Sequence, residues 1–137
     1  MIIVRPLDQK RLLAVAGRHA IVADRKAEDG GTDIGCTSGE LLLVAIGSCA
    51  TGSVRNFLQS SGMPTHALQV TAAFEPHPAE MRDAIKITIS LPNEILNGKS
   101  EAVANAALSG SVVSRLRLGS QVDVQVSPTI RDTKTHE

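Results

Sequence analysis

Cys49 closes the run GELLLVAIGSC, residues 39–49, so one of the chain's two thiols stands ten residues into an almost wholly apolar helical stretch. A thiol held there is either core filler, since free cysteine packs like a small hydrophobe, or a nucleophile. Reactivity requires a cation or hydrogen-bond donor beside the sulfur, because an apolar pocket alone raises a thiol pKa. The other thiol, Cys36, stands just before the helix. With the helix entered near Glu40, about 13 Å of helix against about 14 Å of extended chain puts a Cys36–Cys49 contact at the limit of reach. Glu40 itself lies nine residues before Cys49, half a turn out of phase, and its first-turn carboxylate is explained by the helix dipole. The histidines, His19, His66, His77 and His136, show no i, i+4 pair, and neither cysteine belongs to a CxxC cluster, so no metal site is expected. Gly30 and Gly31 are not followed by the GK[ST] element of a phosphate cradle, and no cofactor is expected.

The elements that would position Cys49 are legible from periodicity. Leu68, Val70, Ala72 and Phe74 alternate with polar or small residues, as do Ile85, Ile87, Ile89 and Leu91, and then Val122, Val124 and Val126; each segment predicts a half-buried strand. Residues 75–83, EPHPAEMRD, read as a long hairpin loop. Two shorter strands, Leu12 to Val15 and Ala20 to Ala23, predict a hairpin around Gly17, Arg18 and His19. A first helix is expected from Ser38 or Gly39 to about Ser60, stopped by Gly62 and Pro64 and about 30 Å long. A second helix is expected from a Ser100 cap to just before Gly119, with Val103, Ala106, Gly110 and Val113 on one stripe. Gly110 inside a helix costs about 1 kcal/mol. Close approach of the first helix, with its own Gly47, Ala50 and Gly52, would offset that. The order of elements predicts a single α+β domain over residues 1–137 with a mainly antiparallel sheet. The first helix is apolar around most of its circumference, so a second copy of the chain is expected to cover it as an obligate dimer.

Composition narrows the function classes. The net charge is +0, with 42% hydrophobic and 20% charged residues in 137. Balanced charge argues against nucleic acid, and the six basic side chains of residues 1–27 have no aromatic residue interleaved for base stacking. The longest uninterrupted apolar run, Leu41 to Ile46, is far shorter than the roughly 20 residues of a membrane span. MIIVRPLDQK lacks the pattern of a secretory signal, so a cytoplasmic location with reduced thiols is expected.

The segment GGTDIGCTSGELLLVAIGSC, residues 30–49, resembles the OsmC/Ohr family of osmotically inducible and organic hydroperoxide resistance proteins. HAIVAD, residues 19–24, and SVVSRLRLGSQVDV, residues 111–124, extend the resemblance over essentially the whole chain. It implies an intertwined homodimer in which long helices pack centrally against antiparallel sheets. It also implies a cysteine nucleophile at Cys49 that reduces organic hydroperoxides, helped by an arginine from the amino-terminal strands, for which Arg11 and Arg18 are the candidates. Three positions depart from the family pattern. Gly110 falls where the peroxidases carry a second cysteine, Gly39 falls where they carry a glutamate, and Cys36 and Ser38 replace prolines. Glu40 matches the glutamate kept in the OsmC-like branch.

The resemblance thus implies a thiolate attack on the terminal peroxide oxygen, giving an alcohol and a sulfenic acid that an external thiol reduces. With the second cysteine absent, two other functions stand beside this peroxidase of oxidative stress defence: a non-catalytic dimer binding a small apolar ligand, and a purely structural or interaction partner.

Overall fold

The computed structural model describes residues 1–77, 82–119 and 125 of the chain. Three strands, β1 (Ile2–Pro6), β2 (Leu12–Ala16) and β3 (His19–Ala23), form an antiparallel sheet in the order β1-β2-β3. The hairpin between β2 and β3 turns at Gly17, whose φ of +61° is the positive value that a tight two-residue connection takes at little cost only from glycine. Beyond the expected pair of strands, β1 adds a third, drawn from the same apolar segment IIV; Ile3 pairs with Val15 and Arg5 with Leu13.

The chain then crosses a glycine-rich loop to α1 (Ser38–Ser60), the expected helix. Its cap is Thr37, one residue before the expected start. The Thr37 hydroxyl accepts from the Glu40 amide at 3.2 Å, and the Glu40 carboxylate accepts from the Thr37 amide at 2.8 Å, a reciprocal capping box. The far end stops at Gly62, which takes φ +67°.

Two long strands follow, β4 (Gln69–His77) and β5 (Arg82–Ser90), paired antiparallel from Gln69↔Ser90 to His77↔Arg82. Most of the segment 75–83, expected as loop, therefore belongs to the strands. Glu75 faces Ala84, and a 2.9 Å Lys86–Glu75 ion pair ties the polar face, while Pro76 sits near the tip of the ladder. The expected alternation holds: Val70, Ala72 and Phe74 pair with Ile89, Ile87 and Ile85 on one face, and Thr71 with Thr88 on the other.

After a short α2 (Asn93–Leu96), the single second helix expected from Ser100 is two pieces, α3 (Ser100–Leu108) and α4 (Ser111–Leu118). Ser100 is the first helical residue of α3 and not its cap, a position taken by Lys99 without a side-chain bond. Ser109 and Gly110 break the rod, so Gly110 caps α4 from outside the helix and carries no mid-helix penalty. Ala107, not Ala106, is buried along with Val103, Gly110 and Val113. The expected strand at Val122 to Val126 lies outside the described residues.

The core forms where α3 and α4 meet α1 over the apolar face of the β4–β5 hairpin. Ile46, Ala50, Val54 and Leu58 line one stripe of α1 at i, i+4 spacing and are buried with Val103, Ala107 and Val113. Val70, Ile87 and Ile89 close it from the sheet side. By length and composition α1 is apolar enough to cross a bilayer, contrary to the expectation drawn from its short uninterrupted runs, although its buried stripe gives it the alternative role of a core helix.

Candidate functional site

The residues around Cys49 come from two helices. On α1, Cys49 sits beside the buried stripe, packs against the core and is only partly exposed; Ser53 follows one turn later. The second helix, α4, aims its amino-terminal end at the sulfur. The first amides of any helix lack intrahelical acceptors, and Gly110 supplies no side-chain cap here. Cys49 Sγ takes up that role from across the interface, accepting the Val112 N–H at 3.4 Å.

Glycine at 110 makes this approach possible. A Cβ placed on Gly110 would lie 2.8 Å from Cys49 Sγ and 2.8 Å from Ser53 Oγ, closer than side chains tolerate. The close approach that the sequence anticipated at Gly110 is present, but its partners are Cys49 and Ser53 in place of Gly47, Ala50 and Gly52.

The electrostatic result is a thiol pKa lowered from the ordinary 9.0. The Val112 amide is the largest cause. Burial opposes it, and the Val113 amide and the Ser111 hydroxyl add to it. An amide pair at a helix amino terminus favours the anion through both its hydrogens and the helix dipole. This arrangement meets the requirement for a donor beside the sulfur.

The other sequence candidates are not gathered at this sulfur. Arg11 is held in an ion pair with Asp8, whose carboxylate also accepts the amides of Lys10 and Arg11, and Arg18 lies in the β2–β3 turn. Glu40 belongs to the capping box and pairs with Lys26 Nζ at 3.1 Å; the Thr37 amide first, and Lys26 after it, lower its carboxyl pKa. Cys36 is exposed and free; its carbonyl accepts the Asp24 amide at 3.1 Å, beside a bridge to Ala23. Because α1 already begins at Ser38, about 16 Å of helix separates that end from Cys49, and two extended residues return only about 7 Å. A Cys36–Cys49 bond within one chain is therefore out of reach.

Ser53, Ser111 and the Val112 amide had no mark in the sequence reading. Their signal is Ser109-Gly110-Ser111, a helix break followed by a fresh start that apolar periodicity alone reads as one continuous helix.

A hollow of ≈ 670 Å³ lies on another face of α1, lined by Leu43, Val44, Gly47, Thr51, Arg55 and Ala72 among others. Another, of ≈ 400 Å³, lies between the β1–β2 turn and the glycine-rich loop. Cys49 lines neither of the two.

Known proteins place this arrangement in context. No curated protein sequence matches the chain. Among solved structures, an OsmC-like protein from Mycoplasma pneumoniae is similar at 13% identity, with 85% of this chain and 86% of that chain covered and a TM-score of 0.60. The organic hydroperoxide resistance protein OhrB of Bacillus subtilis is similar at 13% identity over 85% and 89% of the two chains, with a TM-score of 0.55. An organic hydroperoxide resistance protein OsmC from Legionella pneumophila, also described as a predicted redox protein, is similar at 13% identity over 85% and 88%, with a TM-score of 0.57. These likenesses show a shared fold. The OsmC-like protein family matches residues 30–127, from the glycine-rich loop through Cys49 and the α4 terminus that faces it, and the chain belongs to that family.

Proposed function

We propose that this protein is a cytoplasmic, homodimeric thiol peroxidase that reduces small organic hydroperoxides through Cys49 and draws electrons from an external thiol. The observation that carries the reading is the Val112 N–H aimed at Cys49 Sγ, which favours the thiolate in a partly buried site. Two structural relatives are named for organic hydroperoxide resistance, and this supports the substrate class.

In the proposed reaction the thiolate attacks the terminal peroxide oxygen, an S–O bond forms as the O–O bond breaks, and the alkoxide leaves with a proton as alcohol. Sulfur is oxidised by two electrons to the sulfenic acid. One external thiol then displaces water to form a mixed disulfide, and a second releases Cys49 and the oxidised reductant. An intrachain partner thiol is missing, so a monothiol or dithiol from solution closes the cycle. Exposing the protein to cumene hydroperoxide and following Cys49 by mass tests this. Oxidation confined to Cys49, with all turnover lost in Cys49→Ser, is the expected outcome; an unmodified Cys49 sinks the reading.

A second reading is a non-catalytic dimer that binds a small apolar ligand. The hollow beside Leu43, Val44, Val70 and Ala72, away from the thiol, favours it. Ligand binding that survives Cys49→Ser, in a protein that consumes no hydroperoxide, would select this alternative.

A further inference from the structure

The Val112 amide does more for Cys49 than hold a thiolate. We infer that oxidised Cys49 condenses with the backbone nitrogen of Val112 to give a sulfenyl amide, a covalent S–N link between α1 and α4 that shelters the sulfur from a second oxidation. The inference rests on the peroxidase reading, which supplies the sulfenic acid.

Three features of the site support it. The nitrogen already stands 3.4 Å from Sγ, and Gly110 presents no side chain to keep it away. The Val112 N–H lies in the first turn of α4 and serves no intrahelical bond, so its loss breaks no rung of the helix. Finally, a sulfenic acid without a neighbouring thiol condenses with a backbone nitrogen where one is within reach, and Cys36 is beyond reach in the same chain.

The step balances without any new oxidant. Cys49 S–OH and the Val112 N–H form an S–N bond and release water, the amide proton leaving with the hydroxyl oxygen. Sulfur stays at the sulfenic oxidation level. The oxidant was the organic hydroperoxide of the first step. A low-molecular-weight thiol reverses the link by attacking sulfur and returning a proton to nitrogen, and a second thiol then frees Cys49 as the external disulfide forms. The consequence is a resting oxidised state that an excess of hydroperoxide does not drive to sulfinic acid.

The test uses the full chain with Cys36→Ser, which leaves Cys49 as its sole thiol. After about one equivalent of cumene hydroperoxide, the expected product is about 2 Da lighter than the starting protein, and dithiothreitol restores the mass. Trypsin should then yield peptide 27–55 joined to peptide 100–115, with the link mapped to Cys49 and Val112. A gain of about 16 or 32 Da at Cys49 without a link overturns the inference while leaving the peroxidase reading intact. A disulfide-linked dimer, or a link to a different nitrogen, also overturns it. An unmodified Cys49 removes both. Val112→Pro has no amide hydrogen, at a first-turn position where proline is tolerated; without that donor its thiol should oxidise more slowly, but the product that accumulates under excess hydroperoxide should be the heavier oxidised thiol, and a lighter product in that variant counts against the assignment.

Discussion

Gly110 decides what Cys49 can be. Any side chain there meets Cys49 Sγ and Ser53 Oγ at 2.8 Å, and both atoms sit on short side chains of a packed helix with little room to retreat. Gly110→Ala is therefore expected to destabilise the fold by about 1–3 kcal/mol, as overpacking does. It should also move the Val112 amide off the sulfur and let the thiol pKa rise toward its ordinary value. Urea denaturation reads the first effect and the pH dependence of iodoacetamide alkylation the second. In the unaltered protein, the alkylation midpoint should fall below that of an ordinary cysteine. Unaltered stability together with an unchanged alkylation profile in Gly110→Ala would show that the close contact carries no energy. The sign of the linkage follows from the lowered thiol pKa. Its contribution to stability is full above the unfolded value near 9.0 and is lost as pH falls through the folded value.

At the level of elements, the loop between β3 and α1 is organised by one carboxylate. Asp24 is buried at 5% exposure, and its oxygens accept the amides of Arg25, Thr32 and Ile34 as well as the Thr32 hydroxyl. These donors, the Thr32 hydroxyl first, hold its pKa at about 2, against 3.8 for a free aspartate. A depressed carboxyl pKa stabilises the fold above the unfolded value and ceases to do so as pH falls through the folded one. The urea midpoint should thus drop between about pH 4 and pH 2, and Asp24→Asn should lower it at pH 6 while flattening that drop. An equal acid response in the variant would assign the clamp to other groups. At the entrance to α1, Thr37→Ala removes one half of the capping box and should cost about 1 kcal/mol by the same denaturation measurement.

These elements also show how far the sequence could be read. Strict alternation made β4 and β5 visible, and the glycine and proline after Ser60 ended α1 where expected. The capping box was less plain, because Ser38 and Gly39 both resemble starts and the choice of Thr37 depends on the reach of Glu40. The α3–α4 break was lost because Val103, Gly110 and Val113 keep helical phase across it, so periodicity sees one rod where the backbone makes two. At the site, Cys49 stood out by residue type. The group that tunes it did not, since a backbone amide leaves no mark in a sequence, and the arginines that the family resemblance implies, Arg11 and Arg18, are not at the sulfur.

At the scale of the whole molecule, the described residues leave large apolar side chains exposed on two faces. In the β1-β2-β3 sheet, register places Ile2, Val4, Leu12, Ala14 and Ile21 on one face, and Ile2 and Val4 are 67% and 60% exposed. On α1, Leu42 and Val44 are exposed as well, the latter at 56%. Exposed apolar faces are what an interface would use, and the homodimer proposed above would cover the sheet and the open side of α1. Val44 lies five residues before Cys49 on α1, about 140° round the helix, so Val44→Asp probes that surface apart from the thiol. Burying an unpaired carboxylate in an apolar interface costs several kcal/mol. Sedimentation should therefore find a dimer for the unaltered chain and a shift toward monomer for Val44→Asp, with a melting temperature that no longer rises with protein concentration. If the unaltered chain sediments as a monomer at every concentration, the apolar sheet and helix faces have some other occupant, and the proposed homodimer is wrong.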